Sequence, residues 1–142
     1  MRYDRDEAVR YMGARKDDRE AAVLADTAYL KLRNEVQARS VYRVLDCNVD
    51  EGGVLLGGEY FKSAKLAAHI KGCTRAVLLA ATLGAKADIM LRRMAVANIA
   101  EGAAGQAVCT ALIETYCDET EAQNTAVCIL SRVFHPVMPT GR

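Results

Sequence analysis

The sequence has almost no net charge, and this argues against two classes of partner. Its 142 residues carry 19 Lys and Arg against 18 Asp and Glu, which gives a net charge of +1 at neutral pH. So small a charge creates no broad positive field that would attract nucleic acid or an anionic lipid surface. We therefore expect no nucleic-acid partner.

Long apolar segments are also missing. The two longest largely apolar runs, residues 76–83 and 107–113, are far shorter than the roughly 20 residues that a membrane-spanning helix needs. Residues 1–6 mix both signs of charge and lead into no apolar core, unlike a secretory signal. The sequence accordingly predicts a cytoplasmic protein with no membrane partner.

Motifs typical of nucleotide sites, metal sites and catalytic triads are absent. The Gly102–Gly105 region lacks the Lys and Ser/Thr ending of a phosphate-binding loop, and no Gly-x-Gly-x-x-Gly segment follows a strand. The five cysteines form no Cys-x-x-Cys pair, and His69 and His135 have no partner at a spacing that implies a triad. We predict free thiols, no metal site and no catalytic residue.

The first predicted elements of secondary structure are two N-terminal helices. Asp4 with Glu7, and Asp17 with Glu20, have the spacing of capping boxes, and the apolar residues after Asp17 recur at helical spacing to about Ala38. From Ser40 the residues become β-branched and aromatic on both sides of a turn at 50–53, which predicts a β-hairpin. Ser63 can then cap a short helix.

Residues 74–118 form the predicted centre of the fold. Residues 76–81 are continuously apolar between turn residues, which is typical of a strand covered on both faces, with a helix as the competing interpretation. A long helix follows from about Asn98, and its many Gly and Ala residues should let another element approach closely. Such helices often pack against a second copy, which leaves a homo-oligomer open, although the sequence does not determine the oligomeric state.

These elements predict one α+β domain spanning residues 1–142. Its N-terminal helices, β-hairpin and buried strand would pack against the long alanine- and glycine-rich helix.

Two places within this centre are candidates for ligand binding. The turn at residues 82–84 could offer backbone N–H groups and the Thr82 hydroxyl to a polar ligand, or Gly84 could serve only as a permissive backbone position. Glu114 lies in an otherwise apolar segment and is expected to face a cleft, where a carboxylate needs a partner. The alternative is a solvated carboxylate on the helix surface.

Four motifs follow one another in a recognisable order. They are DEAVRYMG at residues 6–13, GCTRAVLLAATLG at 72–84, the pair Arg92-Arg93, and CTALIE at 109–114, which precedes Asp118. This order resembles that of the small stand-alone relatives of the activation domain of cobalamin-dependent methionine synthase. The resemblance covers most of residues 4–119.

The resemblance implies a function and a partner. Domains of this family bind S-adenosylmethionine, whose methyl group restores an oxidised cobalamin after one-electron reduction on a partner module. It implies an accessory role beside a corrinoid-binding methyltransferase, and Glu114 matches an acidic residue that helps to hold the positively charged donor. Arg142 is either the first residue of the family's Arg-x-x-x-Gly-Tyr motif, whose Arg can bind the donor carboxylate, or a residue unrelated to that motif.

Thr82, Gly84, Glu114 and Arg142 are therefore the predicted ligand-binding residues. The Gly-Tyr pair of the family motif does not follow Arg142. Two alternatives stay open for this reason: an interaction or scaffold domain that has lost the ligand site, and a chain truncated after Arg142.

Overall fold

A computed structural model describes residues 1–124 and confirms the α+β class. Five helices and four strands occur in this part of the chain: α1 Arg5–Tyr11, α2 Arg19–Leu32, β1 Arg39–Val49, β2 Val54–Leu56, β3 Glu59–Phe61, α3 Ala64–His69, β4 Arg75–Thr82, α4 Ala85–Ala97 and α5 Ile99–Asn124. The predicted ligand residue Arg142 lies outside the described residues.

The strands form one sheet in the order β3-β2-β1-β4. The predicted hairpin is confirmed, with Val49 opposite Val54 and Cys47 opposite Leu56 in antiparallel register. β3 pairs antiparallel with β2, placing Phe61 opposite Val54. The sequence analysis had assigned no strand to β3.

Side-chain caps open four of the described helices, and those of α1, α2 and α3 test the predicted caps. The Asp4 carboxylate accepts a hydrogen bond from the Glu7 N–H at 3.2 Å, and the Ser63 hydroxyl accepts one from the Leu66 N–H at 3.2 Å. Both predicted caps are confirmed. The prediction of Asp17 for α2 is wrong by one residue, because Asp18 is the residue whose carboxylate accepts from the N–H three positions on, at 3.0 Å.

The prediction that α2 runs to about Ala38 is also wrong, since the helix ends at Leu32. The Leu32 carbonyl accepts hydrogen bonds from the N–H groups of both Glu35 and Val36, at 2.9 and 3.1 Å. The Gln37 N–H then bonds to the Leu83 carbonyl at 2.8 Å. In a continuing helix the Gln37 N–H would instead donate to a carbonyl of the preceding turn. Its hydrogen bond to Leu83, which is far away in sequence, replaces that bond.

The described chain divides into two compact units, so the prediction of a single domain stays a prediction. Unit 1 comprises Met1–Val41 and Ala80–Asn124. Its helix α5 packs against α1, α2 and α4. The core between these helices is built mainly of small residues around Leu32, Val108 and Leu112, which are at most 2% exposed.

Close packing against α5, predicted from its glycines, is confirmed in unit 1. A Cβ atom added at Gly102 would lie 2.7 Å from the Cα of Ala95 on α4. A Cβ at Gly105 would lie 2.9 Å from the ends of the Leu91 and Met94 side chains. The two glycines therefore allow α4 to approach the α5 backbone at contact distance.

The described part of unit 2 is Tyr42–Leu79, with a small core of Cys47, Val54, Ala67 and Ile70. The strand predicted at residues 76–81 is present as β4, but its burial on both faces is wrong. None of its residues is buried, and Val77 and Leu78 are 41% and 59% exposed. A continuous apolar run is buried on both faces only where two layers cover it, and the described part of unit 2 supplies one short helix, α3.

No helix within residues 1–124 is long and apolar enough to cross a lipid bilayer.

Candidate functional site

An open pocket of about 240 Å³ lies within unit 1, beside the β4–α4 turn. Three stretches of chain line it: the end of β4 with the turn, the first turns of α4, and one face of α5. The lining residues are Ala81, Thr82, Leu83, Ala87, Asp88, Leu91, Gln106, Cys109, Thr110 and Ile113. The α5 members recur at three- and four-residue spacing, as one side of a helix must.

The turn at residues 82–84 is held by its own hydrogen bonds. The Thr82 hydroxyl accepts from the Gly84 N–H at 3.0 Å, and the Leu83 carbonyl accepts from Gln37. Gly84 has a φ of +93°, and an added Cβ would lie 3.1 Å from the Gln37 carbonyl oxygen. A backbone role for Gly84 is thereby confirmed, because an L side chain would be strained there. Its role in ligand binding stays a prediction.

Polar groups from three elements converge on the pocket. Thr82 contributes a hydroxyl, α4 contributes the carboxylate of Asp88, and α5 contributes Gln106, Cys109 and Thr110. The Thr110 hydroxyl donates to the Gln106 carbonyl at 2.9 Å, a bond within its own helix. The Asp88 carboxylate makes no hydrogen bond or ion pair with the residues that the structure describes. The pocket thus offers neutral polar groups and one unpaired carboxylate.

Cys109 forms part of the inner wall and is 8% exposed. Burial, followed by the nearby charge of Asp88, raises the pKa of its thiol to about 11. Removal from water disfavours the thiolate, and a neighbouring carboxylate disfavours it further. Cys109 is therefore a neutral thiol at physiological pH and a weak nucleophile.

Glu114 is the residue after Ile113, which lines the pocket, but Glu114 itself does not line it. It is half-buried and lies against Tyr11 of α1. Burial, followed by the nearby carboxylate of Glu114, raises the pKa of Tyr11. The Arg10 guanidinium lies 4.6 Å from the centre of the Tyr11 ring and pairs with Glu7 at 2.6 Å. The carboxylate predicted to need a partner has one in Tyr11.

The structure therefore brings Thr82 to a pocket, places Gly84 in the adjoining turn and directs Glu114 towards α1. Asp88, Gln106 and Thr110 were missed by sequence reasoning. A signal was available for two of them, because Gln106 and Thr110 are polar residues four apart on a helix of mostly small residues, whereas no local pattern singles out Asp88. Only the packing of α4 on α5 shows that Asp88 lines the same pocket as Gln106 and Thr110.

A second open pocket, of about 510 Å³, lies at the N-terminus and is lined by residues 2–6 and Asp26. Its charged side chains are already engaged in ion pairs with one another or, for Asp6, with Lys16. Asp26 accepts a hydrogen bond from the Tyr3 hydroxyl at 3.2 Å and pairs with Arg5 at 3.2 Å. Tyr3 also stacks on Tyr29 with ring centres 4.0 Å apart. The hydrogen bond, the ion pair and the ring stacking hold the N-terminal segment against α2, and they leave few free polar groups for a ligand.

No protein-family model, curated protein or solved structure matches the chain. Within residues 1–124, His, Cys, Asp and Glu form no group of three that could hold a metal ion.

Proposed function

We propose that this chain is an accessory domain that binds S-adenosylmethionine and supports reductive methylation of a corrinoid cofactor on a partner methyltransferase. The resemblance of its motifs is the starting point. The observation that carries the proposal is that two of these motifs, residues 72–84 and 109–114, contribute side chains to one pocket. Residues far apart in sequence are thus grouped around a concave surface, as ligand-binding residues are.

The chemistry of the pocket suits part of the donor. S-adenosylmethionine carries a positive charge at its sulfonium, and the pocket combines one carboxylate with hydroxyl, amide and apolar groups. Its volume of about 240 Å³ is below the roughly 300–1,000 Å³ of sites that enclose a whole small molecule. We infer that it holds one end of the donor, with Glu114 of the neighbouring helix face and Arg142 as further proposed contacts.

Calorimetric titration of S-adenosylmethionine into the chain tests this function. We expect saturable heat at high-micromolar donor or below, and weaker binding in Glu114→Ala because an opposite charge is lost. Glu20→Ala is a matched control, since Glu20 is exposed in the first turn of α2 and lines neither pocket. The absence of heat at high-micromolar donor would refute the ligand claim.

A second candidate function is an interaction domain without a working ligand site. It is favoured by the position of Glu114, the residue expected to hold the donor, which lies beside Tyr11 and does not line the pocket. Co-purification with a corrinoid-binding methyltransferase, together with no donor binding, would support this function. Donor binding at low micromolar concentration would contradict it.

A further inference from the structure

The charge of the pocket in unit 1 comes from one side chain. Of the residues that line it, Asp88 alone carries a formal charge, and the other polar groups are the neutral side chains of Thr82, Gln106, Thr110 and Cys109. No Lys or Arg lines the pocket, and Asp88 has no ion pair among the described residues. A ligand that enters therefore meets a surface with a charge of −1.

The buried thiol does not change this balance. Cys109 lies close enough to Asp88 for the carboxylate to disfavour its thiolate. The thiol keeps its proton, so it adds no second negative charge beside Asp88. The remaining walls, formed by Leu83, Leu91 and Ile113, are apolar. A charged group with apolar arms matches such a surface better than an anion or a strongly hydrated cation does.

We propose that Asp88 is the residue that recognises the positively charged sulfonium of the ligand, so that the pocket distinguishes a sulfonium from the corresponding neutral thioether. The inference rests on the proposed function and adds to it a residue that the resemblance does not supply. Glu114, which the resemblance does supply, faces Tyr11 instead of the pocket. Direct contact with the sulfonium is thereby assigned to Asp88 of α4, while Glu114 of α5 contributes through longer-range attraction.

The experiment compares two ligands that differ in one methyl group and one charge. S-adenosylmethionine is the sulfonium and S-adenosylhomocysteine the neutral thioether, and both are titrated into the wild-type chain and into Asp88→Asn. We expect Asp88→Asn to weaken binding of the sulfonium at least fivefold, because a nearby opposite charge is removed. Binding of the thioether should change less than twofold, since its sulfur carries no charge for Asp88 to attract.

Three controls separate recognition of charge from other effects. Asp118→Asn makes the same chemical change on α5 at an exposed residue outside the pocket and should leave both affinities unchanged. Asp88→Glu keeps the charge and should retain most of the preference for the sulfonium. Raising the salt concentration should weaken binding of the sulfonium more than that of the thioether, since Asp88 is exposed and its field is screened.

The outcomes distinguish the inference from the function on which it rests. If the wild-type chain binds neither ligand, the proposed function fails and the inference fails with it. If the wild-type chain binds the sulfonium and Asp88→Asn binds it equally well, the inference alone is overturned. A selective loss in Glu114→Gln with no loss in Asp88→Asn would also overturn it, by assigning the charge contact to Glu114.

Discussion

Replacing Gly102 with alanine is the sharpest test of how α4 packs on α5. In a helix interior alanine is favoured over glycine by about 1 kcal/mol, so propensity alone predicts that Gly102→Ala stabilises the protein. The structure predicts the opposite, because the new Cβ would lie 2.7 Å from the Cα and 3.2 Å from the N of Ala95. These are backbone atoms, which can move away only if the whole of α4 shifts.

The magnitude follows from these two opposing effects. Overpacking a well-packed core costs about 1–3 kcal/mol, and a clash with backbone belongs at the upper end of that range. After subtraction of the propensity gain, Gly102→Ala should lower the free energy of unfolding by about 1–2 kcal/mol. For a chain of this size, that corresponds to a fall in Tm of roughly 2–8 °C.

Gly105→Ala supplies the matched comparison on the same helix. Its new Cβ would also be close to its neighbours, at 2.9 Å, but those atoms are the ends of the Leu91 and Met94 side chains. Such ends can rotate away, so we expect the steric cost and the propensity gain to cancel within about 1 kcal/mol. Ala103→Gly, at an exposed position of α5, calibrates propensity alone and should cost about 1 kcal/mol.

Urea unfolding followed by far-UV circular dichroism measures all three variants under the same conditions. The decisive quantity is the difference between Gly102→Ala and Gly105→Ala. If Gly102→Ala is as stable as wild type or more so, the α4 backbone does not lie at contact distance from α5, and the account of close packing is wrong.

Three further predictions concern the helix caps and the buried thiol. Asp18→Ala should cost about 1 kcal/mol in urea unfolding, because Asp18 caps α2, whereas Asp17→Ala should cost only a few tenths; equal losses would contradict the cap. Ser63→Ala should cost about 1 kcal/mol and Ser63→Asp should restore it, since either oxygen can accept from the Leu66 N–H; a loss that Ser63→Asp does not restore would exclude capping as the cause. The raised pKa of Cys109 means that the folded state holds a proton which the unfolded chain releases at lower pH, so stability should fall as pH rises from about 9 to about 11. Cys109→Ala should make this fall less steep, and an unchanged slope would show that the thiol is not desolvated.

Features determined by neighbouring residues could be predicted from the sequence. The caps at Asp4 and Ser63, the hairpin turn at residues 50–53 and the break before α5 at Asn98 all depend on contacts within a few positions. The Asn98 side chain, for example, accepts from the N–H groups of Ala100 and Glu101 at 2.8 and 3.2 Å. Because such hydrogen bonds join residues close in sequence, the residue types that form them can be recognised in the sequence.

Features determined by distant residues could not be predicted in the same way. α2 ends early because Gln37 pairs with Leu83, and no local pattern around residues 33–38 indicates that partner. The run at residues 76–81 shows that β4 is apolar but does not show how many layers cover it. Asp88 is likewise an ordinary exposed helix residue in sequence, and it becomes a candidate only when α5 is placed beside it.

Two of the segments singled out in the sequence, residues 6–13 and 109–114, both contribute to the packing around α5. Residues 6–13 supply Ala8 and Val9 to the core against α5, and Tyr11 to the Glu114 carboxylate. Residues 109–114 supply the buried Cys109 to the pocket on another side of the same helix. A change within residues 109–114 would therefore alter both the core and the pocket that contains the Asp88 carboxylate. A change within residues 6–13 would alter both the core and the surroundings of the Glu114 carboxylate. Tyr11→Phe separates the two, since it removes the hydroxyl and keeps the ring: a loss of donor affinity without a loss of stability would show that Tyr11 positions Glu114 for the ligand.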